Sequence, residues 1–368
     1  MAVLPGHRPV LRTDTHEIHT HGRTVPAATD NAADAGSTAG VDSGRQPTEA
    51  ETTSTRELNK RLDSGSVPGA GPRTADDPRT EALLFTSVDE VSARLAETGY
   101  LASPAVATTV FLADRLGKPL LVEGPAGVGK TELAKAVAHV AGARLVRLQC
   151  YEGVDESRAL YEWNHAKQLL RISAGRDETW DETRTDIFSE EFLLPRPLLT
   201  AIRGDEPTVL LIDETDKADV EVEGLLLEVL SDFQVTVPEL GTITATRRPF
   251  VVLTSNASRE LSEALRRRCL FLHIGFPEEE LERRIVRLKV PGIDAALAES
   301  VVRVVGALRA MDLRKAPSVA ETIDWARTLL ALGATTLDES VVRDSLGVIL
   351  KHQDDVLKAA AKLDLDAV

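Results

Sequence analysis

The sequence predicts an α/β fold: a three-layer domain with a parallel sheet between helices, followed by an all-α domain. Two observations lead to this class. Between residues 119 and 276, short apolar runs such as TVLLID and FVVLTSN alternate with helical patterns. Continuous apolar strands separated by helices are typical of a parallel sheet covered on both faces. After Pro277 the strand patterns end and only helical patterns follow, which predicts a domain boundary at this point.

The N-terminal segment has a different composition. Residues 1–78 are rich in Thr, Ala, Gly, Asp, Ser and Pro and show no sustained apolar period. Such a segment buries too little apolar surface to offset its ordering entropy, so we expect a disordered tail. Three histidines, His16, His19 and His21, lie close together in it. We interpret them as a solvated cluster, with a metal site as the alternative.

The predicted elements follow in chain order. Ser87 and Glu90 fit a capping box that opens the helix VDEVSARLAET, and PAVATTVFLADRL forms the next helix. The strands are PLLVE, LVRLQC, TVLLID, FVVLTSN and LFLHIGF. The C-terminal helices are EEELERRIVRLKV, LAESVVRVVGALRAM, SVAETIDWARTLLAL with a capping box at Ser318 and Glu321, and DESVVRDSLGVILKHQDDVLKAAAKL. We therefore expect a tail over 1–78, an α/β domain over 79–277 and a helical domain over 278–368.

Composition narrows the classes of function. The 368 residues are 43% hydrophobic and carry a formal net charge of −15, which disfavours non-specific binding to nucleic acid. No run of 18 apolar residues appears, so we expect no membrane span. The start MAVLPGHRPVLR lacks an apolar signal core, and Cys150 and Cys269 lie in apolar stretches. We therefore expect a cytoplasmic protein with reduced, buried thiols.

The stretch GPAGVGKT matches G-x-x-x-x-G-K-[ST] between a predicted strand and a predicted helix, the context that this motif requires. Glycines let the backbone N–H groups approach phosphate oxygens, and the helix N-terminus favours negative charge. We expect Lys130 to contact the β- and γ-phosphates and Thr131 to bind Mg²⁺. The residues expected to line the nucleotide are Gly124, Ala126, Gly127, Val128, Gly129, Lys130 and Thr131. The pattern therefore predicts a nucleoside triphosphate site.

Polar residues follow two of the other predicted strands. Asp213 closes TVLLID, Glu214 comes next, and Asn256 follows FVVLTS. At this edge of a parallel sheet Asp213 can hold Mg²⁺ and Glu214 can deprotonate a water. We expect Asn256 to touch both the γ-phosphate and that water. An acidic pair or an asparagine at a strand end can also serve as a cap, which is the alternative interpretation.

Three consecutive arginines, Arg266, Arg267 and Arg268, precede the last predicted strand. A transferred phosphoryl group is strongly stabilised by a guanidinium. At least one of the three is expected to be merely solvated.

Together these residues give the chain a resemblance to the AAA+ ATPases of the MoxR family, most closely to its CoxD-like branch, from about Phe85 to the C-terminus. The resemblance rests on four stretches: RLQCYEGVDESRALYEWNHAKQLL, LLEVLSDFQVTVPELGTI, TSNASRELSEALRRRCLFLHI and KAPSVAETIDWA. The resemblance implies an ATPase domain with ATP and Mg²⁺, a helical lid and a ring, usually of six subunits. It also implies chaperone-like remodelling of a client metalloenzyme, such as a molybdenum hydroxylase, often with a von Willebrand factor A-domain partner.

The resemblance also implies roles for individual residues. Gly124, Gly129, Lys130 and Thr131 match Walker A, Asp213 and Glu214 match Walker B, and Asn256 matches sensor 1. Arg268 is the best match to the arginine finger, and Arg267 is second. One departure is Ser318, which stands where the family has a lid arginine after a proline. This departure leaves open whether the chain has a sensor 2 residue, and Arg314 and Lys315 are the candidate substitutes.

Two other classes share the phosphate-binding loop. A small-molecule kinase would need neither the arginine cluster nor a helical lid. A nucleic-acid motor would add a basic loop. The stretch between Tyr151 and Pro207, however, contains acidic segments such as DETWDETRTD as well as basic residues, which disfavours a nucleic-acid motor. GTP is disfavoured as the substrate, since Asn59-Lys60 is followed by Arg61-Leu62 and lacks the aspartate of N-K-x-D. Trp163, Asn164 and the PELGTI hairpin are candidate client- or pore-facing elements, with core packing the alternative for Trp163.

Overall fold

The structure is a computed structural model that describes residues 84–174 and 179–362. The predicted tail, with His16, His19 and His21, lies outside these ranges. The first part of the described chain contains helices α1 to α3 and strands β1 and β2. Their bounds are α1 Val88–Glu97, α2 Pro104–Leu116, β1 Leu120–Glu123, α3 Lys130–Val140 and β2 Arg144–Gln149.

The middle of the chain adds the remaining strands and six helices. In chain order they are α4 Glu156–Ala159, β3 Tyr161–Trp163, α5 His165–Ala174, α6 Trp180–Ile187, β4 Leu193–Pro195, α7 Pro197–Arg203, β5 Thr208–Asp213, α8 Val220–Asp232, β6 Gln234–Val237, β7 Gly241–Thr244, β8 Phe250–Ser255, α9 Glu263–Arg268 and β9 Leu270–His273. Short 3₁₀ turns lie at Glu190–Phe192 and Thr215–Lys217.

Five strands form one sheet in the order β2-β5-β8-β1-β9, and every pairing in it is parallel. Side chains alternate between its two faces. On β5, Leu210 and Ile212 pack with α7, α8 and α9, whereas Val209 and Leu211 pack with α1, α2 and α3. All six residues of β5 are buried. The sheet thus lies between two helical layers, which confirms the predicted fold class.

Two smaller antiparallel pairs lie outside this sheet. The strands β6 and β7 form the predicted hairpin around PELGTI, with Val237 opposite Gly241. The pair β3 and β4 brackets the segment between residues 161 and 195 and was not predicted. Trp163, at the end of β3, is half-buried and packs edge-to-face on Phe188 with ring centroids 5.3 Å apart.

The described residues that follow β9 form five helices. Their bounds are α10 Glu279–Lys289, α11 Ala295–Arg309, α12 Val319–Ala331, α13 Glu339–Ile349 and α14 Gln353–Lys362. They share an apolar core around Trp325, which is 0% exposed and donates its indole N–H to Ser345 Oγ at 2.8 Å. The buried Glu282 of α10 pairs with Arg309 of α11 at 2.5 Å. A helical region therefore follows the sheet, as predicted.

Two local predictions need correction. DESVVRDSLGVILKHQDDVLKAAAKL is two helices, because Leu350 ends α13 in an extended conformation and α14 starts again at Gln353. The break lets Asp355 of α14 accept the main-chain N–H of Arg314 at 2.9 Å. At the start of α1, the Ser87 hydroxyl accepts the main-chain N–H of Glu90, as predicted. The Glu90 carboxylate, however, accepts the main-chain N–H of Thr86 instead of that of Ser87.

The capping box of Ser318 and Glu321 is confirmed, with the bonds in both directions. Within the two described ranges, none of the helices is both long enough and apolar enough to cross a bilayer.

Candidate active site

The loop between β1 and α3 requires its glycines. Gly127 and Gly129 have φ values of 75° and 98°, in the left-handed region that side chains disfavour. A Cβ on Gly124 would lie 2.0 Å from the main-chain oxygen of Ile274. Gly129 is also the N-cap of α3 and, lacking a side chain, leaves the N–H groups of the first turn for another acceptor. This is a cradle in which bare backbone can face an anion.

Lys130 begins α3 and is 7% exposed. Its ammonium donates to the main-chain oxygens of Gly124 and Pro125, both at 2.7 Å, and to Asn256 Oδ1 at 2.8 Å. Burial lowers the pKa of Lys130, while the carboxylates of Asp216, Asp213 and Glu214 oppose the shift. The structure therefore brings together the predicted Lys130 and Asn256.

Thr131 and Asp213 also meet. The Thr131 hydroxyl lies 3.0 Å from Asp213 Oδ1, which also accepts a 2.5 Å hydrogen bond from Thr254 Oγ1. Asp213 ends β5 and is 3% exposed. A hydroxyl and a carboxylate are the hard oxygen ligands that Mg²⁺ prefers, and Mg²⁺ keeps waters and substrate phosphates as its other ligands. Across the described ranges, no group of three or more His, Cys, Asp or Glu residues could hold a metal, so a Mg²⁺ here depends on such additional ligands.

Glu214 has a backbone φ of 57°, which is unusual for a residue with a side chain. Its main-chain N–H donates to Thr254 Oγ1 at 2.9 Å. Its Oε2 accepts bonds from Gln149 Nε2 at 3.0 Å and from Lys217 Nζ at 2.6 Å. The carboxylate is thus held at the sheet edge beside Asp213 and remains about one-third exposed, at 35%.

Two residues of this site were missed by the sequence analysis, Arg147 and Gln149 of β2. Arg147 donates to Asp213 Oδ2 from Nε at 3.0 Å and from Nη2 at 2.5 Å. Gln149 pairs in register with Asp213 across the parallel strands. The available signal was two polar residues alternating with apolar ones in LVRLQC, but their partners follow only from the strand register.

Lys130, Thr131, Asp213, Glu214 and Asn256 line a cleft of about 1200 Å³. One wall is the glycine loop with Asp213, Glu214 and Asn256, and the other contains Leu281 and Ile285 of α10 and Ile323 of α12. Apolar side chains with a few convergent polar groups are typical of a small-molecule site. Ala320 of α12 donates its main-chain N–H to the Gly127 oxygen at 3.2 Å, so the C-terminal helices contact the glycine loop directly.

None of the three clustered arginines lines this cleft. Arg266 pairs with Glu123 at 2.8 Å, and Arg268 Nε donates to Ser231 Oγ at 2.5 Å. The side chain of Arg267 is 77% exposed and pairs with Glu263 of the preceding turn. Arg266 and Arg268 therefore both have partners within their own chain, and the assignment of Arg268 as a finger stays a prediction.

The proposed replacements for the family's lid arginine are not in the cleft either. Lys315 pairs with Glu321 at 3.0 Å, and neither Arg314 nor Lys315 belongs to the lining. The expectation that one of them takes this place is therefore not supported. The C-terminal helices instead bring Arg284 and Lys289 of α10 to the cleft.

The comparisons with known proteins agree with this geometry. Residues 120–278 match the family model described as ATPase family associated with various cellular activities (AAA). This stretch, from β1 to β9, is therefore similar to AAA ATPase family domains.

Relatives include a ClpL ATP-binding subunit of the ATP-dependent Clp protease from Lactococcus lactis, 32% identical over 138 residues, or 37% of this chain and 16% of that protein. The chaperone protein ClpB of Oceanobacillus iheyensis is 31% identical over 45% of this chain and 18% of that protein. The denitrification regulatory protein NirQ of Stutzerimonas stutzeri is 25% identical over 56% and 69%. The matches span less than a fifth of the two Clp proteins.

Among solved structures, the RuvB Holliday junction branch migration motor of Thermotoga maritima is similar with a TM-score of 0.39 and 20% sequence identity. That match covers 72% of each chain.

Proposed function

We propose that this chain binds ATP with Mg²⁺ and hydrolyses it to ADP and phosphate. The observation that carries the proposal is the contact of Lys130 with Asn256, which unites the glycine loop and the neighbouring strand end around one cleft. The AAA family match supports it.

Each residue of the site has a role that follows from its chemistry. The cradle for the phosphates is formed by Gly124, Ala126, Gly127, Val128 and Gly129. Lys130 neutralises the charge of the phosphates. Thr131 and Asp213 would hold Mg²⁺, which would supply charge neutralisation at the phosphate oxygens. Glu214 accepts a proton from the attacking water, and Asn256 orients that water.

We further propose a MoxR-type, CoxD-like role in a ring of six subunits, in which Arg268 of one subunit completes the ATP site of the next. An isolated chain would bind ATP but hydrolyse it poorly. The domains of this assembly are the α/β part, residues 79–277, and the helical lid, residues 278–368. The cellular role proposed is cytoplasmic, chaperone-like maturation of a client metalloenzyme, with a von Willebrand factor A-domain partner. The similarity to ClpB and NirQ supports a chaperone or regulatory ATPase.

The test is phosphate release by the purified chain with Mg²⁺ and ATP, GTP or no nucleotide, with and without double-stranded DNA. We expect hydrolysis of ATP without stimulation by DNA. Strong stimulation by DNA would favour the motor, and phosphate transfer to a small molecule would favour the kinase.

The client is tested with the Glu214→Gln variant, expressed in the native cell and purified with ATP. We expect a metalloenzyme or an A-domain protein among the retained proteins. Glu221→Gln, a variant of an exposed glutamate on α8, controls for non-specific capture. Recovery of nucleic acid alone would contradict the maturation role.

A further inference from the structure

Asp216 is a buried carboxylate for which the proposed mechanism has no role. It lies in the 3₁₀ turn Thr215–Lys217 that follows Glu214, and it is 3% exposed. An ionised carboxylate in such a place is costly unless hydrogen bonds compensate for the lost water. Its partners therefore indicate what it holds in place.

Both oxygens of Asp216 accept hydrogen bonds from the loop after β8. Oδ1 accepts the main-chain N–H of Asn256 at 3.2 Å. Oδ2 accepts the main-chain N–H of Ser258 at 3.0 Å and the Ser258 hydroxyl at 2.5 Å. Burial alone would raise the pKa of Asp216, but these hydrogen bonds outweigh it and hold the pKa below 3.8. The carboxylate is thus built to be ionised and to clamp this loop.

The clamped turn is not one that the chain adopts freely. Ala257, between the two donors, has a φ of 56°, a left-handed conformation that is strained for a residue with a side chain. Glu214, two residues before Asp216, has a φ of 57°. Two strained positions at adjacent strand ends are therefore tied to one another through Asp216, and strain of this kind persists only where surrounding contacts enforce it.

The clamp also determines how Asn256 is presented. An ammonium has only donors, so the atom of the Asn256 amide that faces Lys130 at 2.8 Å is Oδ1. The Asn256 side chain is then fixed from two sides, by Lys130 at its carbonyl and by Asp216 at its main-chain N–H. The Nδ2 group is left as the donor for the cleft.

We propose that Asp216 is a positioning residue for ATP hydrolysis, which fixes Asn256 relative to Glu214. The inference rests on the proposed function and deepens it. Asp216 acts through Asn256 and does not touch the nucleotide, so its loss should affect turnover more than nucleotide binding.

The variant that tests this is Asp216→Asn. It keeps the shape but places an amide –NH₂ against an N–H donor, whichever way the amide is turned. Asp355→Asn is a matched control, because Asp355 is 1% exposed and accepts main-chain N–H groups of Arg314 and Lys315 at 2.9 and 3.3 Å, and none of these three residues lines the cleft. Ser258→Ala is a milder variant that removes only the hydroxyl donor.

The measurements are kcat and KM for ATP, the Kd for ADP, and the melting temperature of each variant. Misplacement of a catalytic group can cost about 100-fold in rate, so we expect Asp216→Asn to lower kcat at least tenfold, with KM and the Kd changed less than about twofold. Ser258→Ala should lower kcat less, in the same direction. Asp355→Asn should lower the melting temperature similarly and leave kcat unchanged.

The inference is overturned if Asp216→Asn and Ser258→Ala keep the kcat of the Asp355→Asn control, or if they raise KM and Kd without lowering kcat. If Asp216→Asn does not fold, Ser258→Ala decides alone. A wild-type chain that binds no nucleotide and hydrolyses no ATP would instead overturn the proposed function, and the inference with it.

Discussion

The ammonium of Lys130 lies 2.8 Å from the carboxamide oxygen of Asn256, although 126 residues separate them in the chain. Lys130 opens α3 and Asn256 follows β8, so the contact exists only because β1 and β8 are neighbours in the sheet. The loop that would cradle phosphate and the strand end that would sense it are therefore one structural unit.

Lys130→Ala should abolish nucleotide binding, because it removes the one buried ammonium from the glycine loop of the described structure. The loss should exceed about 100-fold in Kd, which corresponds to roughly 2.7 kcal/mol. Titration with a fluorescent ATP analogue measures it. Lys358→Ala is the control and should bind like the wild type, because the ammonium of Lys358 contacts the main-chain oxygen of Asp312 and Lys358 does not line the cleft.

Cys150 should resist alkylation in the folded protein. It is 0% exposed, and burial, with the nearby charge of Asp213, raises its pKa from 9.0 to about 12. Since the thiolate is the nucleophile, iodoacetamide at about pH 8 should label Cys150 only after unfolding. Mass spectrometry with and without urea checks this, and rapid labelling of the native protein would contradict the burial.

The same shift predicts a pH dependence. Because the pKa of Cys150 is higher in the folded state, it stabilises the folded protein at pH values below the ordinary pKa of 9.0. This contribution is lost as the pH rises toward 12. The free energy of unfolding of wild type minus that of Cys150→Ala should therefore fall as the pH rises above 9.0. A difference in the free energy of unfolding that stays constant over this pH range would contradict the raised pKa of Cys150.

Trp325→Ala should destabilise the C-terminal helices. Replacing a fully buried tryptophan costs about 3–5 kcal/mol, and Trp325 is 0% exposed with a hydrogen bond to Ser345. Trp180 is 65% exposed, so Trp180→Ala should change stability by less than about 0.5 kcal/mol. Urea unfolding followed by circular dichroism compares the two, and equal losses would contradict the packing.

Much of this site could be predicted because its residues are tied to element ends. Lys130 and Thr131 are fixed by a motif, and Asp213 and Asn256 follow apolar strands whose ends meet at one edge. Arg147 and Gln149 could not be assigned, because their partners depend on which strand adjoins β5 and in which register. The strand β3 was missed because three residues give too short a pattern, and the break before α14 was missed because it depends on the distant contact of Asp355 with Arg314.

Arg268 should act on ATP in a neighbouring subunit. It lies outside the cleft of its own chain, and a finger supplied in trans is worth about 10³–10⁵ in rate. Arg268→Ala should therefore bind ATP and lose turnover, whereas Arg267→Ala, at the neighbouring position that pairs with Glu263, should lose less.

Mixing Arg268→Ala with Glu214→Gln sharpens this test. Some interfaces then combine an intact Glu214 from one chain with an intact Arg268 from the other, and ATPase activity should partly return as subunits exchange. If both variants assemble and exchange but the mixture stays inactive, Arg268 does not act in trans.

The central claim is that one cleft both binds ATP and hydrolyses it with Glu214 as the base. It is tested most directly by measuring ATP binding and single-turnover hydrolysis side by side for wild type, Glu214→Gln and the surface control Glu221→Gln. We expect Glu214→Gln to bind ATP within about twofold of the wild type and to hydrolyse it at least 100-fold more slowly, because the variant keeps the shape and loses the base. Hydrolysis by Glu214→Gln at the rate of the wild type would contradict the account.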